Sequence, residues 1–217
     1  MSTRALREHQ KAGRPQLFLF GELEGAETKS IGVTSSFASM YCTWRLRFNS
    51  SSGWTLLEGE SCGETFQSDN DYAHVGDFCT WNHPISCHLT TRRLAGWPRI
   101  ELHVYGVDYT GRHDLVGYGI VDVPGKPGTY EMICRTWRPC LTHLSDRLHV
   151  YFCGGVPQFA QPDEALDPNA EGQEVTRFGF GTESSVRVFL RMTVVTKDFK
   201  ANGLDVGEFE VLGPEAN

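Results

Sequence analysis

The sequence lacks the features of a membrane span, of a secreted chain and of several enzyme classes. No run approaches the roughly 18 apolar residues that a bilayer-spanning helix needs. The first residues contain no hydrophobic signal core, so we do not expect secretion. The metalloprotease motif H-E-x-x-H and the phosphate-binding motif G-x-x-x-x-G-K do not occur. We therefore expect a non-enzymatic protein that needs no cofactor.

The chain also has little positive charge overall. Its 20 Lys and Arg residues are outnumbered by 27 Asp and Glu residues, which gives a formal net charge of -7. Binding along a phosphate backbone needs a basic domain, so we expect no nucleic-acid partner. Basic residues do gather in residues 1–14 and at Arg92, Arg93 and Arg99. Such clusters form either a solvated rim or a patch for anionic headgroups or an acidic partner.

Hydrophobic residues alternate with polar ones in several short segments. Residues 100–105 have the two-residue period of a half-buried strand, and residues 186–195 repeat it with aliphatic side chains on one face. Helical periodicity is almost missing, and turn residues separate the segments. A hydrophobic content of 40% is enough for a sizeable core. These features predict an all-β fold, an eight-stranded antiparallel β-sandwich.

The distribution of charge and turn residues suggests three parts. We expect a flexible basic tail in residues 1–14, one domain in residues 15–204 and an acidic tail in residues 205–217. Within the domain, residues 141–152 are predicted to form a short helix followed by a strand. Residues 154–176 are predicted to form a long loop, to which the sequence assigns no role.

The cysteines and histidines do not form a recognisable metal motif. Seven cysteines, an odd number with no C-x-x-C pair, predict reduced and mostly buried thiols. One cluster contains suitable zinc ligands, but its spacing matches no common zinc pattern. The simpler interpretation is that these are strand and loop residues: His74, Cys79, His83, Cys87 and His88.

Two aspartates follow the alternating segment at residues 100–105. Asp108 and Asp114 lie six residues apart in a polar, glycine-bearing loop, residues 106–114. Aspartates in such loops either cap turns or contribute to a calcium site, which needs six to eight oxygen ligands. Two carboxylates fall short unless the acidic segment 58–78 supplies more. Turn capping is the simpler interpretation.

Several sequence blocks, taken together and in order, resemble the B9 domain family, a divergent group of C2-type domains from ciliary proteins. The resemblance covers roughly residues 16–204. The blocks are Tyr41-Cys42-x-Trp44, Gly53-Trp-Thr-Leu-Leu57, Gly76-Asp77, Trp81-Asn-His-Pro-Ile85, Gly96-Trp-Pro-Arg99, Gly117-Tyr-Gly119, Pro127-Gly128, Thr136-Trp-Arg-Pro139 and Gly154-Gly155-x-Pro157-Gln158. C2-type domains carry a further aspartate where this chain has Gly106. The resemblance therefore marks Asp108 and Asp114 as vestigial calcium-loop positions and implies no bound metal.

The resemblance also implies a C2-like sandwich and a role in cilia. It implies a non-enzymatic subunit of the transition-zone complex named for Meckel syndrome, located at the transition zone and basal body. That assembly supports ciliogenesis and limits membrane-protein exchange between the cilium and the plasma membrane. The implied partners are the other two B9-domain proteins and, indirectly, tectonic-type and transmembrane subunits, with a possible peripheral membrane contact. The alternative is an autonomous C2-like phospholipid-binding module.

Residues 186–195 are the candidate partner-binding strand. They contain no Pro or Gly, and their second face includes Phe189 and Arg191, residue types that are common at protein interfaces. If this segment is an unguarded edge strand, the face is free to dock a sister B9 domain. If the strand is central, residues 154–176 would cover that face instead.

Overall fold

The structure is a computed structural model that describes residues 13–27, 37–69, 78–141, 143–153, 155, 158, 181–204 and 210–212. These residues form eleven strands, one α-helix and two short 3-10 turns at Ser50–Ser52 and Lys200–Asn202. The helix α1 spans Leu144–Cys153. The strands are β1 (Gln16–Glu27), β2 (Ser39–Arg47), β3 (Thr55–Gly59), β4 (Cys62–Glu64), β5 (Ser68–Asp69), β6 (Phe78–Thr90), β7 (Arg99–Val107), β8 (His113–Asp122), β9 (Gly128–Pro139), β10 (Thr182–Lys197) and β11 (Glu210–Leu212).

The strands form one curled sheet that folds into two layers. Their order is β3-β6-β1-β10-β9-β8-β7-β2-β4, with β5 beside β2 and β11 beside β9. The pairing between β8 and β9 is a single bridge, between Tyr118 and Trp137, so the sheet turns back on itself there. We call β3-β6-β1-β10-β9 the first sheet and β8-β7-β2-β4 the second sheet. A hydrogen bond from Trp81 Nε1 in β6 to the Met40 carbonyl in β2 spans the two layers (3.1 Å).

One hydrophobic core lies between the two sheets. Successive side chains of a strand point to opposite faces, so every second residue enters this core. Leu19, Trp81 and Val188 contribute from the first sheet, and Leu102 and Val104 contribute from the second; all are at most 1% exposed. Fully burying an aliphatic or aromatic side chain of this kind stabilises a fold by roughly 1.5–3 kcal/mol.

The all-β class predicted from the sequence is confirmed, with three more strands than expected. The additional strands are β4, β5 and β11, which have three, two and three residues. Segments this short contain too few residues to show a two-residue period. β11 lies within the predicted C-terminal tail and runs parallel to β9, so the sheet is not wholly antiparallel.

The prediction for residues 141–152 was partly wrong. The helix is present, but it continues to Cys153, so no strand follows it within that segment. Leu144, Leu148 and Phe152 recur at the four-residue spacing of one helix face, although the apolar run near the end also suits a short strand. Residues 1–12, 205–209 and 213–217 of the predicted tails lie outside the described residues. So does the predicted loop 154–176, apart from Gly155 and Gln158.

The candidate partner strand lies inside the first sheet. β10 pairs with β1 on one side and with β9 on the other. The interpretation as an edge strand is therefore wrong, and β10 is a central strand. The second part of the central-strand alternative, a cover formed by residues 154–176, lies outside the described residues apart from Gly155 and Gln158. Among the described residues, β3 pairs with β6 only at residues 87–90, so Pro84 lies beyond the end of β3. A proline is tolerated there because it removes no donor from that ladder.

Candidate functional site

Asp108 organises the loop between β7 and β8. Its Oδ1 accepts hydrogen bonds from the Thr110 backbone N–H (2.7 Å), the Thr110 hydroxyl (2.6 Å) and the Arg112 backbone N–H (2.9 Å). Its Oδ2 accepts from Arg112 Nε at 2.9 Å. The hydrogen bond from the Thr110 side chain, followed by those from Arg112, holds the pKa of Asp108 well below its usual range. Both carboxylate oxygens thus have protein donors. The second aspartate, Asp114, accepts a hydrogen bond from the Gly155 backbone N–H at 3.4 Å.

Packing explains why glycine occupies the position of the missing aspartate. A Cβ atom at Gly106 would lie 2.4 Å from ring atoms of Phe37, far inside van der Waals contact. Phe37 is 7% exposed and belongs to the core at this end of the sandwich. An aspartate at position 106 would therefore require the ring to move. The Phe37 ring therefore allows only a glycine at position 106, and it fills the space that a ligand side chain would occupy.

The candidate zinc ligands do not converge. Cys79 and Cys87 are buried in the core, at 0% and 2% exposure. His88 lies on the other face of β6, where its ring stacks on Phe18 with centroids 4.0 Å apart. His74 lies outside the described residues. Within the described ranges, no group of three His, Cys, Asp or Glu side chains is placed to hold a metal ion.

One motif that sequence reasoning missed has a structural explanation. Residues 59–63 read Gly-Glu-Ser-Cys-Gly, which matches the G-x-S-x-G pattern of hydrolases. A nucleophile elbow needs a strand-to-helix turn that exposes the serine. Ser61 instead lies in the connection between β3 and β4, and its carbonyl accepts a hydrogen bond from the Leu46 N–H at 2.6 Å. The motif match is therefore coincidental.

The side chains of the first sheet that point away from the core form a mixed apolar and charged surface. Phe20 is 49% exposed, Ile133 55% and Val195 38%. Phe18 lies opposite Val195, and Phe189 lies opposite Ile133, so these side chains form two apolar groups on neighbouring strands. We call this surface the outer face; it comprises Phe18, Phe20, Ile133, Phe189, Arg191 and Val195.

The two predicted partner-binding residues both lie on the outer face. Arg191 separates its two apolar groups and forms ion pairs with Glu22 (3.0 Å), Glu24 (2.8 Å) and, more distantly, Glu131 (3.7 Å). Phe189 is half-buried, with its ring tilted against Phe78 at a centroid distance of 5.7 Å. Sequence reasoning missed the more exposed apolar side chains, Phe20 and Ile133, because they lie on other strands. Only the register of β1, β10 and β9 brings them together.

A buried charge cluster lies on the outward side of the second sheet. Glu101 is 3% exposed, and its carboxylate accepts from Arg47 Nε at 2.6 Å and from His103 Nε2 at 2.8 Å. Burial works against its ionisation, but the hydrogen bonds from His103 and Arg47 outweigh burial and lower the pKa of Glu101 to about 2. This charge cluster holds β2 against β7.

No helix in the described part of the chain is long and apolar enough to cross a bilayer. A family model described as "B9-C2: Ciliary basal body-associated, B9 protein" matches residues 17–195. B9 domain-containing protein 2 of Danio rerio is 35% identical over 190 residues, covering 88% of this chain and 98% of the relative. The human protein of the same name is 32% identical with the same coverage.

A relative named B9 domain-containing protein 1 and one solved structure also match this chain. B9 domain-containing protein 1 of Mus musculus is 30% identical over 209 residues, covering 94% of this chain and 95% of the relative. A C2 domain of plant extended synaptotagmin 1 matches with a TM-score of 0.39 and 9% identity, covering 84% of this chain and 96% of that domain. The family match runs from β1 into β10, which includes the core and the outer face. The chain belongs to the B9 family of ciliary basal body-associated proteins.

Proposed function

We propose that this chain is a non-enzymatic subunit of a ciliary B9 complex that works at the transition zone and basal body. The observation that carries the proposal is the family match over residues 17–195, together with relatives named B9 domain-containing proteins 1 and 2. Residues 15–204 form the B9-type domain of this subunit, with β11 added beside β9, and residues 1–14 and the remainder of 205–217 are its tails. The subunit supports ciliogenesis as part of the barrier that limits exchange between ciliary and plasma membranes.

The expected partners are the other B9-domain proteins, and through them tectonic-type and transmembrane subunits. The outer face is the surface that best suits a sister B9 domain. It has exposed aromatic and aliphatic side chains on a rigid sheet and an arginine among carboxylates. Interfaces of this kind combine apolar anchors with polar groups that fix the register. β10 supplies the middle of this surface, flanked by β1 and β9.

The localisation can be tested directly in ciliated cells. The full chain with a fluorescent tag should concentrate between the basal body and the ciliary shaft, and a tag pull-down should recover the other B9-domain proteins. A diffuse signal along the shaft, or a pull-down without these proteins, would contradict the proposed function.

The docking surface is tested separately with purified proteins. The double variant Phe20→Thr/Ile133→Thr removes the two most exposed apolar side chains of the outer face. Threonine is chosen because its β-branched side chain suits a strand. An anchor of this size contributes about 1–2 kcal/mol when it becomes buried, so affinity for the sister B9 protein should fall at least tenfold. Phe189 and Arg191 are less suitable targets. Phe189 is half-buried against Phe78, and Arg191→Asp would add a carboxylate to those of Glu22 and Glu24.

A matched control removes similar apolar area elsewhere. Phe66 and Tyr109 are 59% and 73% exposed and lie in loops outside the first sheet. The variant Phe66→Thr/Tyr109→Thr should bind the sister protein as the wild type does. If the control loses binding and the outer-face variant retains it, the interface lies near those loops instead. Melting temperatures of both variants confirm that the fold is intact.

A further inference from the structure

The end of the sandwich where β1 begins and β10 ends is rich in exposed positive charge, despite the acidic composition of the chain. Six Lys and Arg side chains there are exposed, and we call this surface the basic end. It comprises Arg14, Arg92, Arg93, Lys126, Lys197 and Lys200. The sequence indicated basic residues in segment 1–14, which includes Arg14, and at Arg92 and Arg93, but it did not bring them together or join them to Lys126, Lys197 and Lys200.

Strand register brings these six residues to one end. Gln16 lies opposite Lys197 on one side and opposite Thr90 on the other. The Thr91 N–H donates to the Pro15 carbonyl at 3.1 Å, so Arg14 and Arg92 leave the sheet on neighbouring strands. Lys126 and Lys200 lie in the turns that border the ends of β9 and β10. Four neighbouring strands at about 4.8 Å spacing give this surface a width of about 15 Å.

Within the part of the chain that the structure describes, few carboxylates compensate the positive charge of the basic end. None of its six cations has an ion-pair partner among the described residues. Three acidic residues lie near this end: Asp122, which is paired with Arg99 at 2.7 Å, Asp198, and Glu210, which lies opposite Gly128 at the start of β9. Six other arginines among the described residues do have carboxylate partners: Arg47, Arg99, Arg112, Arg138, Arg187 and Arg191.

The loop between β6 and β7 presents an apolar residue within this charge. Leu94 follows Arg92 and Arg93 and is 38% exposed. The loop is held firmly: the Thr91 hydroxyl accepts from the Arg93 N–H at 3.1 Å and donates to the Arg93 carbonyl. Trp54 Nε1 donates to the Ala95 carbonyl at 3.0 Å. The Trp54 ring also packs edge-on against Trp97, with ring centroids 5.3 Å apart. This part of the basic end therefore needs little reordering on binding.

We propose that the basic end docks the protein on an anionic membrane surface. Several cations spread over the loop tips of four strands, with Leu94 exposed among them, match a flat layer of anionic headgroups above an apolar interior. The net charge of -7 does not oppose this orientation, because a charge more than about 10 Å from the membrane is screened at physiological salt. The contact goes beyond the proposed assembly role and holds whether or not the outer face binds a sister B9 domain.

Vesicle flotation with the full chain tests this proposal. Both chain ends join the fold at the basic end, since the Asn202 side chain donates to the Gly13 carbonyl at 2.9 Å, so neither end should be removed. Vesicles of phosphatidylcholine with 30 mol % phosphatidylserine should carry the protein up, and vesicles of phosphatidylcholine alone should not. Binding should weaken steeply as salt is raised from 0.05 to 0.5 M.

Charge variants locate the surface. Each cation close to an anionic leaflet contributes about a fivefold factor to binding, so Arg92→Gln/Arg93→Gln and Lys197→Gln/Lys200→Gln should each weaken it about thirtyfold. Arg135→Glu is the matched control, because it changes the net charge by the same amount from an exposed position in the middle of β9. It should bind vesicles as the wild type does.

Three outcomes would overturn the proposal. The first is equal binding to neutral and anionic vesicles, and the second is no binding to either. The third is wild-type binding by both glutamine variants, which would place the membrane contact on another surface. If the wild type ignores vesicles but acidic peptides bind it and the glutamine variants abolish that binding, the basic end serves a protein partner instead. Loss of sister-protein binding in the outer-face variant leaves all these results unaffected.

Discussion

Replacing Glu101 by glutamine should destabilise the fold through one buried charge cluster. The Glu101 side chain is 4% exposed, and its carboxylate accepts hydrogen bonds from Arg47 at 2.6 Å and from His103 at 2.8 Å. Glu101→Gln keeps the size of the side chain and can still accept hydrogen bonds, but it removes the negative charge. The substitution therefore measures the electrostatic contribution with little change in packing.

The magnitude follows from the pKa of this carboxyl group. Lowering the pKa from an ordinary 4.5 to about 2 corresponds to a preference of about 3 kcal/mol for the ionised form in the folded state. Breaking a fully buried ion pair typically costs about 3–5 kcal/mol. The Arg47 side chain is 39% exposed and can recover contact with water once its partner is neutral. We therefore expect Glu101→Gln to lower the free energy of unfolding by about 2–3 kcal/mol at pH 7.

The pH dependence has a defined sign. Because the folded-state pKa is the lower one, the contribution of Glu101 is complete above its unfolded pKa of 4.5. It falls by about 1.4 kcal/mol for each pH unit below 4.5 and is lost as the pH approaches 2. The difference in stability between wild type and variant should thus be constant from pH 7 to about pH 5.5 and should shrink by pH 3.5.

Urea unfolding followed by tryptophan fluorescence measures this difference at each pH. The control is Glu131→Gln, because Glu131 is 45% exposed and lies 3.7 Å from Arg191; exposed pairs contribute at most about 1 kcal/mol. A Glu101→Gln effect no larger than that of the control at pH 7 would refute the reasoning. So would a large effect that remains unchanged at pH 3.5.

Two further predictions concern the vestigial loop and the thiols. Gly106→Asp should fail to create a calcium site and should destabilise the fold by about 1–3 kcal/mol, because its side chain would collide with Phe37. Titration calorimetry and thermal melts check this, with Gly125→Ala, which meets no neighbour within 4 Å, as the control; calcium binding tighter than about 100 µM by the wild type or by Gly106→Asp would contradict it. Iodoacetamide at pH 8 should label the exposed Cys62, Cys140 and Cys153 in the native state, because thiolates are the reactive form. Cys42, Cys87 and Cys134 should react only after unfolding, since burial raises their pKa, to about 11 for Cys87 and about 12 for Cys134; mass spectrometry showing equal native labelling would contradict this.

The sequence alone determined the fold class and most long strands, because the two-residue period is a local property. Residues 186–195 predict a strand wherever that strand lies in a sheet, and β10 contains them. The family resemblance also needed no structure, since it rests on the order of the sequence blocks. The end of α1 shows the limit of local patterns. A short apolar run suits both a strand and a helix, and here the helix prevails.

Tertiary structure decided which residues work together, because pairing between distant segments leaves no trace in local patterns. Only strand order made β10 central, placed Ile133 opposite Phe189 and brought Phe20 onto the same face. Gly106 is explained by Phe37, which lies 69 positions earlier in the chain and packs against it. The basic end arises in the same way: its six cations are scattered from Arg14 to Lys200, and the registers of β1 with β6 and β10 bring them to one surface. The sequence shows that the chain is acidic on average. Only the fold shows that six basic residues gather at one end of the sandwich.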